Sequence, residues 1–158
     1  MFGLQNIYGT LTNSTGKGPL DFPTLKNNPA EYEVVVTSAL TGKAEYFGKE
    51  TMVQDDYRLI MAFSAIPAAC RPVELNNIPY FDGGLSDAIP VSRALEKGCD
   101  RLVIIFSKMR DYVHKPQGMR FLYTIRCRQY PQIISLIDHR HIAYNQNLQA
   151  VFALEREG

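Results

Sequence analysis

The residues best placed to do chemistry are Asp82, Gly83 and Gly84, in the run Pro79-Tyr80-Phe81-Asp82-Gly83-Gly84-Leu85-Ser86-Asp87-Ala88-Ile89-Pro90-Val91. An aspartate closes a short apolar run and two glycines follow it. A carboxylate so placed sits on a rigid element, and the glycines let other backbone come close. Partly withdrawn from water and within hydrogen-bond reach of a hydroxyl, it can take the proton of a serine and make it a nucleophile. The same spacing also fits a turn aspartate bonded to nearby backbone. Ser86 and Asp87 lie just beyond, and Pro90 suits the first turn of a helix, so these two read as N-terminal capping groups.

A base needs a nucleophile, and none is identified. Gly-x-Ser-x-Gly occurs nowhere in the chain. Ser14 precedes Thr15-Gly16, but Thr12 stands where the first glycine should be. Ser38 follows a strand-like run but sits between Thr37 and Ala39. The stretch from Gly9 to Gly18 fails as a phosphate loop, because the spacing is wrong and Gly18 follows Lys17 where Ser or Thr is needed. His139 and His141 are two apart and point to different faces of a helix, and His114 is remote. With no thiol or carboxylate at ligand spacing, no metal is expected. Cys70, Cys99 and Cys127 are odd in number and far apart, which fits reduced thiols in a cytoplasm.

The elements that must position Asp82 follow from local patterns. Residues 1–30 are rich in Gly, Asn, Thr, Ser and Pro and read as an irregular arm ahead of a domain over 31–158. The β-branched run Glu33-Val34-Val35-Val36-Thr37 reads as a buried strand, followed by a turn at Thr41-Gly42-Lys43 and a second strand over Ala44–Phe47. Thr51 and Gln54 have capping-box spacing, so a helix is expected from about Met52 to Phe63. Asn76-Asn77 between two short apolar runs predicts a hairpin. Gly98 suits the C-terminal cap of the helix opened by Pro90. Arg101-Leu102-Val103-Ile104-Ile105-Phe106 reads as a strand buried on both faces. A long final helix begins at Pro131, with Ile133, Ile137, Tyr144, Leu148 and Val151 on one face. Strands alternating with helices predict an α/β fold with a mainly parallel, Rossmann-like sheet and flanking helices.

Bulk properties are those of a globular domain, 46% hydrophobic and 21% charged. A net charge of +1 gives no basic field for nucleic acid. No apolar run has membrane-spanning length, and the first residues lack the regions of a signal peptide. Residues 108–128 gather Lys108, Arg110, Lys115, Arg120, Arg126 and Arg128 against Asp111 alone, with Met109, Tyr112, Val113, Met119, Phe121, Leu122 and Tyr123 interleaved. This segment reads either as a lid or patch touching an anionic membrane surface, or as a solvated loop feeding a packed helix.

With Asp82 set in this frame, the chain resembles the C-terminal half of a patatin-like phospholipase domain. The ordered segments are Val34-Val35-Val36-Thr37 with Thr41-Gly42-Lys43, Ala62-Phe63-Ser64-Ala65-Ile66-Pro67, Tyr80-Phe81-Asp82-Gly83-Gly84 through Pro90-Val91, and Gly98-Cys99-Asp100 with Leu102–Ile105. The tail, from Arg110-Asp111-Tyr112 and Lys115-Pro116 to Arg140-His141 and Tyr144-Asn145, resembles a bacterial subgroup. The resemblance covers roughly residues 22–157. It implies a Ser-Asp dyad acting on lipid esters, with Asp82 as general base. The serine and the glycine-rich oxyanion loop would lie N-terminal to the matched segments, and Ser64 matches a family serine that is not the nucleophile. The isolated chain is therefore expected to be an inactive, truncated part of a hydrolase, and its apolar strands, left without their sheet neighbours, to self-associate as a homo-oligomer.

Overall fold

The computed structural model describes residues 3–157; Met1, Phe2 and Gly158 lie outside the described residues. The arm carries a short helix, α1 (Leu4–Asn6), running into a π-helical turn, Ile7–Leu11, and then α2 (Phe22–Asn27). Asp21 caps α2 by accepting the Thr24 N–H. There follow β1 (Glu33–Ser38), β2 (Ala44–Gly48), α3 (Arg58–Phe63), β3 (Val73–Leu75), β4 (Ile78–Asp82), α4 (Val91–Glu96), α5 (Arg120–Arg126) and α6 (Pro131–Glu157).

The sheet has four strands in the order β2-β1-β4-β3, and every pairing is antiparallel. This overturns the mainly parallel, Rossmann-like expectation. β1 and β2 are joined by a tight turn in which Gly42 takes φ +71°, and β3 and β4 by Asn76 and Asn77 at φ +51° and +63°. Such turns permit only antiparallel neighbours. A parallel pair would need a strand delivered by a helical crossover. The run after α4 is placed for that, but residues 101–106 form no strand, and Val103 and Ile105 are each 93% exposed.

The helix expected over 52–63 is cut to α3. Asp55 sits at φ +64° and Val53 bridges to Asp56, so no helix can pass through them. Thr51 and Gln54 form no capping box; Thr51 donates to the Gly48 carbonyl, and Gln54 to Asp55 and the Tyr57 hydroxyl. The arm expected to be irregular over 1–30 carries α1, the π-helical turn and α2. β1, β2 and the Asn76-Asn77 hairpin form where expected, α4 opens after Pro90 with Gly98 at φ +84° just past its end, and α6 starts at Pro131.

Tyr80 and Phe81, consecutive on β4, face different apolar clusters. Tyr80 joins Val34, Val36, Leu59 and Ala62, uniting the sheet with α3. Phe81 joins Ala65, Leu85, Ile133 and Ile137, uniting it with α6. In α6, Ile133, Ile137, Leu148 and Val151 are buried and Tyr144 is half-buried, as the spacing predicts. The end of β4 is thus clamped from both sides, and Asp82 is the residue that leaves the clamp.

Candidate functional site

Asp82 is the last residue of β4, opposite Val36 of β1, and it opens a 3-10 turn over Gly83–Leu85. Its main chain is fully engaged. Its N–H donates to the Ala65 carbonyl at 3.0 Å, and its carbonyl accepts the Thr37 hydroxyl at 2.7 Å. Thr37 in turn lies 2.8 Å from the Ser86 hydroxyl. Since the Thr37 proton goes to the Asp82 carbonyl, Ser86 is the donor in that second bond. A buried hydroxyl of the strand thereby ties the two ends of the turn together.

Close approach requires the glycine at 83, whereas a Cβ at Gly84 would meet side-chain atoms alone, the nearest being the Asp82 carboxylate at 3.1 Å. A Cβ on Gly83 would fall 2.2 Å from the Val35 carbonyl oxygen, inside any tolerable contact. Gly84 gives its N–H to the Asp82 carboxylate at 2.8 Å, and its carbonyl accepts Nε of Arg140 from α6 at 3.2 Å. Among the described residues, the Gly84 N–H is the one hydrogen bond that the Asp82 carboxylate receives. Burial pushes the Asp82 carboxyl above its ordinary value of 3.8, against the Gly84 N–H and the Arg140 guanidinium, which hold it down. A half-buried carboxyl with one spare oxygen and a raised pKa has the character of a proton acceptor. It also makes the local bond of a turn aspartate, so both readings of the sequence meet at this residue.

No hydroxyl among the described residues donates to that carboxylate. Ser38 is buried at the end of β1, opposite Tyr80. Ser64 bonds to the Tyr8 hydroxyl at 3.2 Å and Ser86 to Thr37. Ser14 does meet an aspartate, with Oγ 2.6 Å and N 2.7 Å from the Asp55 carboxylate. That pair is exposed, and the Ser14 bonds hold Asp55 below its ordinary value, which makes it a poorer base; its role is to pin Asp55 in its left-handed conformation.

Ser86 and Asp87 do not cap α4, which has no side-chain cap. Asp87 instead accepts the Tyr46 hydroxyl. Both line a cleft of about 530 Å³ with Tyr46, Ile89, Val91 and Leu154, whose walls do not include Asp82. Burial, then the Asp87 bond, drives the Tyr46 phenol up. The histidines are scattered. His114 lies against Tyr144 at 5.4 Å and His139 bonds to the Ser135 carbonyl. Among the described residues no group of three His, Cys, Asp or Glu could hold a metal ion, and the three cysteines are free.

In the 108–128 segment, α5 buries Tyr123 and exposes Phe121, Leu122 and Ile125. Met109, Val113 and Met119 of the preceding loop are exposed too. Arg120 pairs with Asp138 at 2.8 Å, and Arg110 pairs with Glu155 and stacks 4.5 Å from the Phe152 ring. Among the described residues, Lys108, Lys115, Arg126 and Arg128 have no carboxylate partner.

Sequence reasoning missed Arg140 and Thr37. Arg140 stands three residues after Ile137 and four before Tyr144, so it interrupts the apolar stripe of α6 on its own face. Thr37 is the first hydroxyl after three valines. A polar side chain inside an apolar pattern was the available signal in both.

Comparison with known proteins adds a distant likeness. No family model matches the chain, and no solved structure matches it. The chain is 33% identical over 95 residues to the Escherichia coli (strain K12) protein named "Uncharacterized protein YjjU", a match spanning 59% of this chain and 27% of that protein. A contiguous stretch of that length, wherever it falls in 158 residues, contains Asp82, Gly83 and Gly84.

Proposed function

We propose that this chain supplies the base of a serine–aspartate acyl hydrolase of patatin type acting on lipid esters. Asp82 takes the proton of a serine as its oxygen attacks the ester carbonyl. The alcohol then leaves with that proton, and the acyl group remains on the serine. Asp82 next takes a proton from water as the water oxygen attacks the acyl carbon, and returns it to the serine oxygen as the acid leaves. This dyad needs no metal or organic cofactor. The observation that carries the reading is the corner at Asp82, where a half-buried carboxyl with a raised pKa leaves a rigid strand beside two glycines. The exposed apolar side chains and free cations of 108–128 support a contact with an anionic lipid surface. Among the described residues no helix is long and apolar enough to cross a membrane, and three free thiols suit a reducing cytoplasm.

Among the described residues no hydroxyl reaches the Asp82 carboxylate, which favours a second statement, that the 158-residue chain by itself is inactive. The chain is expected to remain unlabelled by a serine-directed fluorophosphonate and silent on short p-nitrophenyl esters. The hydrolase reading is tested by a chimera in which the matched stretch of this chain replaces its counterpart in the longer Escherichia coli relative. The chimera is expected to release fatty acid from phospholipid vesicles, and Asp82→Asn to lower that rate by roughly 10²–10⁴-fold. An active chimera indifferent to Asp82→Asn, or one with no lipid esterase activity, would reject the role of Asp82.

A further inference from the structure

Leu102-Val103-Ile104-Ile105-Phe106 has the composition of a central strand, yet among the described residues 100–108 make no backbone hydrogen bond. Exposure alternates along it: Val103 and Ile105 are exposed, while Leu102, Ile104 and Phe106 are half-buried. Ile104 and Phe106 rest on Ile89, Leu148 and Val151, and the run walls a cleft of about 590 Å³ with Phe152 and Leu154. One face is therefore anchored on α6, the other is apolar and open, and the backbone between them is unpaired. This is a strand edge that lacks a strand.

We infer that this edge pairs with the same run of a second copy, antiparallel about a two-fold axis at Ile104. The pattern of charge at the two ends of the run argues for a second copy. Pairing about Ile104 sets Leu102 opposite the partner's Phe106 and Val103 opposite the partner's Ile105. One position beyond Arg101 and Ser107, which flank the apolar run and face each other, it sets Asp100 opposite the partner's Lys108, and the two-fold repeats that pair. Opposite charges facing across an antiparallel pair stabilise it, and like charges destabilise it. Sliding by two residues, which keeps the same faces, sets Leu102 against the partner's Lys108 or Asp100 against the partner's Phe106. Asp100 and Lys108 are both exposed and, among the described residues, engaged in no ion pair. Lys97, at the C-terminal cap of α4, already bonds to Glu31 and Glu33. The Asp100–Lys108 pair is therefore the one that reports.

The test is sedimentation of the full chain at high-micromolar concentration and low salt, with thermal melts as the control for folding. The wild type is expected to sediment as a dimer. Asp100→Lys and Lys108→Asp, each facing like charges twice, are expected to weaken the dimer at least ~10-fold without changing the melt taken at low-micromolar concentration, where the chain is monomeric. The double variant is expected to restore it. Ile105→Lys, on the outer face, is expected to give monomer. A wild type that stays monomeric overturns the inference. So does a dimer indifferent to the single changes, or a double variant no tighter than its parents, because either outcome places the contact elsewhere.

Discussion

Glu33–Ser38 and Arg101–Phe106 are both short β-branched runs, yet Val36 is 0% exposed between two paired strands while Val103 and Ile105 are 93% exposed. Side chains alone do not separate them. What separates them is the supply of a neighbour. β1 is followed within a few residues by β2, through a turn that Gly42 makes possible at φ +71°. β4 is delivered with β3 already attached, through Asn76 and Asn77. Both edges of β1 are then filled. The later run leaves α4 through Gly98 with no tight turn to bring it an edge, and it settles on α6 by one face only. Strand propensity describes a side-chain set that fits a pleated surface; it does not provide the surface. Asp82 is held firmly because it belongs to the supplied region.

The largest expected consequence of that difference lies at Gly83. A methyl there meets the Val35 carbonyl oxygen at 2.2 Å, and both partners are backbone of the paired region. Gly83→Ala is expected to destabilise the fold by ~3 kcal/mol or more in urea unfolding. Gly118→Ala, with nothing within 4 Å, is expected to stay within ~0.5 kcal/mol of wild type. Equal effects at the two glycines would break the contrast between the clamped strand end and the open loops.

A smaller effect compares two isoleucines. Ile133 is 0% exposed beneath the sheet and Ile105 is 93% exposed. Ile133→Ala is expected to cost roughly 2–4 kcal/mol. Ile105→Ala, measured at low-micromolar concentration where self-pairing is minor, is expected to change stability by less than ~0.5 kcal/mol. A large loss at Ile105 would mean that the run is buried in solution, and that the two regions are alike after all.

The same contrast marks how far the sequence could be read. Elements whose signals are local were legible: the β1 run, the Asn76-Asn77 hairpin, the Pro90 and Gly98 boundaries and the α6 stripe. The failures are non-local. The helix before Arg58 is broken by Asp55, which Ser14 holds from 41 residues away. The direction of the sheet depended on whether residues 101–106 found an edge. At the site, the Asp82-Gly83-Gly84 adjacency was legible because its chemistry is contiguous. The Arg140 bond to the Gly84 carbonyl spans 56 residues and the Thr37–Ser86 bond spans 49, and only the folded chain brings them together.

The central claim is that the corner at Asp82 holds a carboxyl poised to accept a proton, and titration tests it most directly. Carbon-13 NMR of the side-chain carboxyls follows Asp82 beside Asp138, an internal reference held low by the Arg120 guanidinium and then by the Tyr123 hydroxyl. A folded value raised above 3.8 means that the fold favours the neutral form of Asp82. Its contribution to stability is then complete below the unfolded value and is lost as pH rises through the folded midpoint. The expected result is an Asp82 midpoint above 3.8 with Asp138 below it. An Asp82 midpoint at or below 3.8 would contradict the account, because the carboxylate would then be a well-satisfied turn acceptor.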